Sequence, residues 1–438
     1  MTHYSLNAYD ADSRVGQLGY ESLDEQFSFG YDPAWMDAKD SYSISPHILA
    51  NGPAAPSSTV RRFVENLLPE GRALDIVSTT YQVSKNNIYG LIRELGQETA
   101  GALSFRPDDA VAPRSVTRRR EVTQAELAER IMERTEIPFA VWDGRVRMSI
   151  AGYQDKLAVY IENDRLYLVE GELASTHILK PEPLDERLPT LVANEHYCMT
   201  LAAQIGVTAA GVSILRLPTP VLVITRFDRR AERDGVRRLH IIDSCQALNF
   251  PVAYKYERNF GAGRDVRDIR EGVSFPRLFS LAEYTAEKAV TRLSLVRWAL
   301  FQYLIGNADA HGKNISFFCR PGGLALAPSY DLVSVVQYPQ VAHELAMAFG
   351  DEFSIEAIRP YDFALFARKT NTPHALLARE MRRMAKAAGS IATALAERDT
   401  YSAQEKPLVR KIAAFVENQA KQLGAMAATM LTIAKDSL

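Results

Sequence analysis

Residues 305–332 read IGNADAHGKNISFFCRPGGLALAPSYDL and carry the strongest structural signal in the chain. Asp309 stands five residues before Asn314, and two apolar runs joined by a Pro-Gly-Gly turn then lead to Asp331. Apolar runs around a glycine-rich turn predict a β-hairpin, which would return the second aspartate towards the first. Carboxylate and amide oxygens are hard ligands that suit Mg²⁺. The stretch therefore predicts a Mg²⁺ site built on a loop and a hairpin.

The order of these residues is the one that phosphoryl transfer by protein kinases requires. Asp309 would accept the proton of the attacking hydroxyl, and Asn314 and Asp331 would hold Mg²⁺. A lone loop aspartate is more often a turn former, so the inference rests on the ordered set. His311 has no second His or Cys at ligand spacing, so we interpret it as support for the loop. Lys313 lies beside the predicted phosphate path, and a solvated loop lysine is the alternative.

A kinase also needs a lysine on an upstream strand and an acidic partner on the next helix. The apolar run THILK ends at Lys180, and the helical stretch LVANEHYCMTLAAQIG places Glu195 on its apolar stripe. A carboxylate on a buried stripe needs a cation as partner. We expect Lys180 to be that partner, and a surface pair of Glu195 with an arginine is the alternative.

Two further segments fit contact with a nucleotide. The loop SIAGYQDK, residues 149–156, has a small Ala-Gly step and ends at Lys156, as expected of a loop over phosphates. An ordinary turn between strands is its alternative. The apolar strand VLVITRF, residues 221–227, precedes a short connection, where backbone groups of Thr225 and Phe227 would meet an adenine edge. A plain core strand is the alternative there.

Composition narrows the class of protein. The 438 residues include 51 Lys+Arg and 53 Asp+Glu, a formal net charge of -2, which lacks the basic footprint of a dedicated nucleic-acid binder. The three cysteines, at 198, 245 and 319, are too far apart to suggest a disulfide scaffold or a zinc site. Neither a signal peptide nor an apolar stretch of membrane-spanning length is evident. We therefore expect a cytoplasmic protein in a reducing compartment, without membrane contact.

The patterns along the chain predict an α+β, two-lobed, protein-kinase-like fold. Residues 1–110 are interpreted as a small N-terminal α/β subdomain, and residues 111–228 as a β-rich N-lobe. Residues 229–438 are expected to form an all-helical C-lobe, apart from the NISFF and LALAP strands of the hairpin. The polar, proline-bearing residues 106–121 are interpreted as a linker, with their arginine run on a solvated face.

In their order, these motifs resemble those of the HipA-type serine/threonine kinases, the toxin halves of bacterial toxin-antitoxin pairs. The segments ENLLPEG, ELGQETAGAL and DSCQALNFPVAYKYE extend the resemblance, which runs from about residue 15 to the C-terminus. It implies ATP and Mg²⁺ as cofactors, catalytic roles for Asp309, Lys180 and Glu195, and metal ligation by Asn314 and Asp331. The nucleotide contacts that the resemblance implies are Ala151, Gly152, Tyr153, Gln154, Asp155, Lys156, Lys180, Thr225, Arg226, Phe227, His311, Gly312, Lys313, Asn314, Tyr330 and Asp331.

The resemblance also implies a regulatory site and some departures from the family pattern. Ser149 stands where the family autophosphorylates and silences itself, and a phosphate there would be drawn to arginines. A strand-end hydroxyl is the alternative for Ser149. Thr225 stands where an acidic residue is common, so backbone recognition of adenine is expected. Tyr153 and Asp155 replace the side chains usual in that loop.

Family members phosphorylate aminoacyl-tRNA synthetases, notably the glutamyl enzyme, and thereby halt translation. They are neutralised by a small helix-turn-helix antitoxin, HipB-like, with which they bind operator DNA. The resemblance implies these partners here, with DNA contact mainly through the antitoxin; Arg368 and Lys369 form either a local DNA patch or a solvated helix end. Two other functions stay open: a small-molecule kinase, and a catalytically weak kinase-fold module acting as a transcriptional co-repressor with its antitoxin.

Overall fold

The chain divides into two compact units, each containing both helices and strands. The computed structural model describes residues 2–107, 117–147, 154–171, 173–233 and 235–434. The first unit comprises residues 1–181, 215–252 and 317–327, and the second comprises residues 182–214, 253–316 and 328–438. The chain is thus a mixed α/β protein, and its division into three sequence segments remains a prediction.

The first unit begins with a four-stranded antiparallel sheet in the order β3-β2-β1-β4. Its strands are β1 (His3–Asp10), β2 (Ser13–Glu21), β3 (Gln26–Tyr31) and β4 (Leu103–Pro107). Four helices lie between β3 and β4: α1 (Pro33–Met36), α2 (Ser57–Glu65), α3 (Gly71–Tyr81) and α4 (Ile88–Leu95). Leu6 and Leu18 are opposite each other on β1 and β2 and fully buried, so alternation along the strands forms this core.

A second sheet, of six strands, carries the predicted lysine strand. Its order is β11-β12-β10-β8-β9-β5. The strands are β5 (Arg118–Val122), β8 (Leu157–Glu162), β9 (Arg165–Glu170), β10 (His177–Pro181), β11 (Val212–Leu215) and β12 (Val221–Thr225). Helix α5 (Gln124–Met132) and the short pair β6 (Val141–Trp142) and β7 (Arg145–Val146) precede β8. Leu157, Val159, Leu179 and Val221 belong to the buried hydrophobic cluster of this sheet.

The interpretation of residues 106–121 as a linker is wrong at both ends, since Arg106 and Pro107 end β4, and β5 begins at Arg118. Strand β5 shows this most clearly. Its backbone pairs antiparallel with β9 at the edge of the sheet, so residues from Arg118 onward are ordered by main-chain hydrogen bonds. Its arginines are exposed, as expected of a solvated face. Charged side chains suit an edge strand because they discourage pairing with another chain.

The predicted catalytic hairpin is present as strands β16 (Ser316–Arg320) and β17 (Gly323–Leu326). They pair antiparallel with Arg320 opposite Gly323, which leaves Pro321 and Gly322 as the tight turn. Gly322 has a φ of +88°, a left-handed conformation that glycine adopts without steric cost. Strand β15 (Ile241–Asp243) completes this sheet beside β16. The pair β13 (Arg229–Glu232) and β14 (Gly235–Arg238) and the short helix α7 (Ser244–Ala247) flank β15 in sequence.

The second unit is mainly helical, but the expected all-helical C-lobe is wrong. Its helices are α6 (Leu191–Gln204), α8 (Phe275–Ser280), α9 (Lys288–Ile305), α10 (Pro360–Lys369), α11 (His374–Ala396) and α12 (Lys406–Met430). Beyond the hairpin, residues 229–438 also contain strands β13 to β15 and a further antiparallel pair, β18 (Glu344–Phe349) and β19 (Glu352–Ser354). The β18 sequence ELAMAF is a short apolar run of good helix formers, and such a run does not separate helix from strand.

None of the helices in the described ranges is long and apolar enough to cross a bilayer.

Candidate active site

Helix α9 leads directly into the predicted catalytic loop and fixes where that loop begins. The helix is buried along its C-terminal half and ends at Gly306, which has a φ of +65° and donates its N–H to the carbonyls of Gln302 and Tyr303. A Cβ at Gly306 would overlap the side chain of Val336, so any larger residue would push the helix end away. The conformation of Gly306 therefore fixes the direction in which the chain continues from α9 to Asp309.

The loop holds the backbone of Asp309 firmly and leaves its carboxylate accessible. The Asp309 N–H donates to Asn307 Oδ1 at 3.0 Å, and the Asp309 carbonyl accepts from Asn314 Nδ2 at 2.8 Å. The side chain nevertheless has 56% of its surface exposed. A general base needs both properties, since it must meet a substrate hydroxyl in a defined direction.

Tyr330 ties the chain before Asp331 to the chain before Asn314. The Tyr330 hydroxyl donates to the Lys313 carbonyl at 2.6 Å and shares a 2.7 Å hydrogen bond with the Ser316 hydroxyl. Asp331 itself has a φ of +58°, a conformation that non-glycine residues adopt at a cost and that is frequent at functional sites. The two residues predicted as metal ligands thus stand on segments that are hydrogen-bonded together.

The donor set fits Mg²⁺. The Asn314 amide nitrogen is committed to the Asp309 carbonyl, which leaves its oxygen as the atom for a metal. With the Asp331 carboxylate this gives hard oxygen ligands, and Mg²⁺ is usually held by one or two such groups together with water and phosphate. In the described part of the chain, no group of three or more His, Cys, Asp or Glu side chains could hold a metal ion.

His311 and Lys313 are both buried, with 8% and 7% exposure. Lys313 is therefore not a solvated loop lysine. The His311 ring lies edge-on to Tyr256 at 5.0 Å between centroids, and its Nε2 is 4.0 Å from Asp309 Oδ1. This packing agrees with the interpretation of His311 as support for the loop. Nucleotide contact by either residue, and by Gly312 between them, remains a prediction.

Lys180 and Glu195 are buried to 4% and 1% exposure, on β10 and α6 respectively. The alternative of a surface pair for Glu195 is thus not met, because a charge this deep must be compensated inside the protein. Pairing between the two side chains stays a prediction.

Next to Glu195, Asn194 fixes helix α6 to the chain that follows Asp331. Its Nδ2 donates to the Ser334 carbonyl and to the Tyr338 hydroxyl, both at 3.1 Å, and its Oδ1 accepts from the Ser334 N–H at 2.8 Å. Asn194 and Ser334 are fully buried. The helix with the predicted acidic partner is therefore tied by buried hydrogen bonds to the segment that follows the second predicted metal ligand.

The predicted hinge is held by a buried ion pair. Thr225 ends β12 opposite His177 and is exposed, whereas Arg226 is buried. The Arg226 N–H donates to the Thr176 carbonyl at 2.9 Å, and its guanidinium donates twice to Asp228, at 3.0 and 2.7 Å. Arg226 thus has a structural task, and contact of Thr225, Arg226 and Phe227 with a nucleotide stays a prediction.

Asp228 connects this hinge to the N-terminal part of the first unit. Burial by itself would raise the pKa of Asp228, but the guanidinium groups of Arg226 and Arg229 lower it well below the ordinary value, so the carboxylate is ionised. Its Oδ2 also accepts from the Gly101 N–H at 3.3 Å. Arg238 adds hydrogen bonds to the carbonyls of Thr99 and Gly101. Residues 97–101 therefore help to set where the hinge lies.

The predicted phosphate loop is only partly within the described residues. Ser149, Ala151, Gly152 and Tyr153 lie outside them, so these predictions have no structural account. Gln154 and Asp155 are half-buried, and Lys156 is buried with 8% exposure.

The three cysteines are buried, and they are not joined in disulfides. Burial raises the pKa of the Cys198 and Cys319 thiols, which keeps them protonated and poorly nucleophilic. They agree with the expectation of reduced core residues.

Tyr256 is a residue of this site that the sequence did not reveal. Its hydroxyl donates to Asp309 Oδ1 at 2.6 Å. In the sequence, Tyr256 stands only within the longer segment DSCQALNFPVAYKYE, because a contact across 53 positions leaves no local pattern. The closest signal in the sequence is the clustering of tyrosines in an otherwise polar segment.

Comparison with known proteins covers both parts of the chain. A family model described as the HipA N-terminal domain matches residues 6–106, and one described as the HipA-like C-terminal domain matches residues 148–395. The serine/threonine-protein kinase toxin HipA of Shewanella oneidensis is 41% identical over 385 residues, which is 87% of either chain. The putative kinase Y4mE of Sinorhizobium fredii is 30% identical over 387 residues, covering 87% of this chain and 89% of that one.

A solved structure gives the same result in three dimensions. It contains the toxin-antitoxin proteins HipA and HipB of Shewanella oneidensis with their operator DNA. The present chain matches it with a TM-score of 0.88 and 37% identity, over 98% of this chain and 100% of that chain.

Proposed function

The chain belongs to the HipA family, and on that premise we propose that it is an ATP- and Mg²⁺-dependent serine/threonine protein kinase, the toxin of a type II toxin-antitoxin pair. The observation that carries this proposal is the catalytic loop. It fixes the Asp309 backbone, exposes the Asp309 carboxylate, and holds the Asn314 amide so that its oxygen is left for a metal.

Each residue would have one task in the reaction. Asp309 would take the proton of a serine or threonine hydroxyl as that oxygen attacks the γ-phosphorus of ATP. Asn314 and Asp331 would hold Mg²⁺, which neutralises charge on the phosphates when bound. Lys180, oriented by Glu195, would pair with the α- and β-phosphates. A two-lobed arrangement of the kinase type belongs to this proposal, as do adenine contacts at Thr225 to Phe227.

The proposed target is a translation protein, an aminoacyl-tRNA synthetase such as the glutamyl enzyme, in the bacterial cytoplasm. The proposed partner is a HipB-like antitoxin, supported by the 41% identity to a HipA toxin and by the likeness to a HipA that was solved with HipB and operator DNA. Direct DNA contact by Lys369 has little support, because its ammonium pairs with Asp351 at 2.7 Å. Self-inhibition through phosphorylated Ser149 completes the proposal.

Controlled expression in bacteria, followed by phosphoproteomics, tests this function. The wild-type chain should arrest growth and add phosphate to serine or threonine of a small set of proteins. Asp309→Asn keeps the shape of the side chain and its acceptor oxygen for Tyr256, yet should do neither. Asp399→Asn, at an exposed aspartate, is the matched control and should behave like wild type.

The same experiment separates the other functions. Arrest that persists in Asp309→Asn would indicate a binding module acting with an antitoxin. Label from ATP that enters a metabolite and no protein would indicate a small-molecule kinase. Either result would contradict a protein-kinase toxin.

A further inference from the structure

We propose that Tyr256 is a positioning residue for the catalytic base, and that its hydroxyl orients the Asp309 carboxylate for proton transfer. This inference rests on the proposed function, because it concerns the rate of the same reaction. It gives the segment Tyr254–Glu257 a role in positioning the base, whereas the residue roles proposed above do not involve this segment.

The backbone of this segment is fixed on several sides. The Gly312 N–H in the catalytic loop donates to the Lys255 carbonyl at 2.8 Å. On another side, the Val273 N–H donates to the Tyr254 carbonyl at 2.8 Å. Glu257 is buried, donates its N–H to the Ala346 carbonyl at 2.9 Å, and accepts from the Ala348 N–H at 2.8 Å. Tyr256 therefore projects from a rigid support that is hydrogen-bonded to the loop it would orient.

The ring and the hydroxyl of Tyr256 are both placed with respect to the loop. The ring meets the buried His311 ring edge-on, at an interplanar angle of 87°. The hydroxyl then reaches Asp309 Oδ1 at 2.6 Å, a short hydrogen bond of the kind formed with an ionised acceptor. Because Asp309 is more than half exposed, packing alone would leave its carboxylate free to rotate. The hydrogen bond from the Tyr256 hydroxyl therefore restrains the rotation of the Asp309 carboxylate, which burial does not do.

Among the described residues, the side-chain contacts of Asp309 fall on Oδ1, which leaves Oδ2 for proton transfer. Both the Tyr256 hydrogen bond and the approach of His311 use Oδ1. In the proposed step, the substrate hydroxyl passes its proton to Oδ2 as its oxygen bonds to the γ-phosphorus. The bond from that phosphorus to the bridging oxygen breaks, and ADP leaves with the electron pair. Tyr256 keeps its own proton throughout, so it orients the base and exchanges nothing.

Gly272 is the sequence feature that permits this arrangement. A Cβ at this position would overlap the Tyr256 carbonyl, and it would lie 2.6 Å from the Tyr254 carbonyl. Any side chain there must displace the tyrosine segment, and with it the hydroxyl. Gly272→Ala therefore gives a second way to move Tyr256 without changing it.

The test measures initial rates of labelled phosphate transfer from Mg²⁺-ATP to proteins of a bacterial extract, with full-length purified variants. Tyr256→Phe keeps the ring against His311 and removes only the hydroxyl. Its apparent kcat should fall about ten-fold, because the loss of orientation removes only part of the hundred-fold or more that a general base contributes. Its KM for ATP should stay within about two-fold of the wild-type value. Tyr361→Phe, at an exposed tyrosine on α10 that has no part in the site, is the matched control and should retain wild-type rates. Gly272→Ala should lower kcat at least as much as Tyr256→Phe.

Three results would overturn the inference alone: an unchanged kcat in Tyr256→Phe, a raised KM with kcat retained, or a fall in rate matched by a lower melting temperature. The second would assign Tyr256 to nucleotide binding, and the third to stability. A wild-type protein with no transfer above an Asp309→Asn background would instead refute the proposed function, and the inference with it.

Discussion

Replacing Asn194 by alanine should loosen the link between helix α6 and the segment that follows Asp331. The substitution removes two hydrogen bonds to the backbone of Ser334 and one to Tyr338. Ser334 is fully buried, so its N–H and carbonyl would lose these partners away from water. An unpaired buried polar group costs about 1–3 kcal/mol, so we expect the free energy of unfolding to fall by about 4 kcal/mol.

A graded series makes the magnitude testable. Tyr338→Phe removes one of the three hydrogen bonds and should cost about 1 kcal/mol. Asn418→Ala, at an exposed position on α12, should change stability by less than about 0.5 kcal/mol. Urea denaturation at constant pH gives the three values.

Hydrogen exchange locates the effect. The Ser334 amide should lose protection in Asn194→Ala, since its acceptor is the side chain that was removed. An Asn194→Ala protein with unchanged Ser334 protection, or with a stability loss no larger than that of Asn418→Ala, would refute the reasoning.

Three further results are expected. Burial lowers the pKa of His240 to about 4, below its ordinary value of 6.5, so the unfolded chain binds this proton first as the pH falls. The free energy of unfolding should therefore decrease as the pH drops from about 6.5 to 4. In urea titrations, the decrease between pH 7.5 and pH 5 should be about 2 kcal/mol larger for the wild type than for His240→Gln. Lys180→Met should weaken binding of Mg²⁺-ATP at least ten-fold by calorimetry, and unchanged affinity would remove Lys180 from the site. Asp228→Asn leaves Arg226 buried without its carboxylate and should lower the free energy of unfolding by about 3–5 kcal/mol. This effect should be the same from pH 8 to about pH 4, because the carboxyl of Asp228 in the folded protein stays ionised below its ordinary pKa. A loss of stability seen only in acid would contradict this.

The catalytic stretch could be predicted from sequence because its information is local. Asp309 and Asn314 are close in the chain, and the turn at Pro321 and Gly322 forces the strands on either side to pair. Turn chemistry and apolar alternation act over a few residues, which is the range that one sequence displays. Strand β18 could not be predicted in this way, because the six residues ELAMAF fit a short helix as well as a strand.

The residues that hold the site in place could not be predicted, because their contacts are long-range. Asn194 meets Ser334 across 140 positions, and Tyr256 meets Asp309 across 53. The residue type alone does not predict either contact, because a buried asparagine or a half-buried tyrosine can form many different hydrogen bonds in a protein. Gly272 carries no sign of this in the sequence, because only the fold shows that Tyr254 and Tyr256 occupy the space that a side chain would need.

The measurement closest to the central claim is transfer of the γ-phosphate of ATP to protein by the purified full-length chain. With Mg²⁺ present, the wild type should phosphorylate serine or threonine of an added protein at least a hundred times faster than Asp309→Asn. Loss of transfer on chelation of Mg²⁺ should accompany this. Equal rates for the two proteins, or label found only in small molecules, would contradict the account.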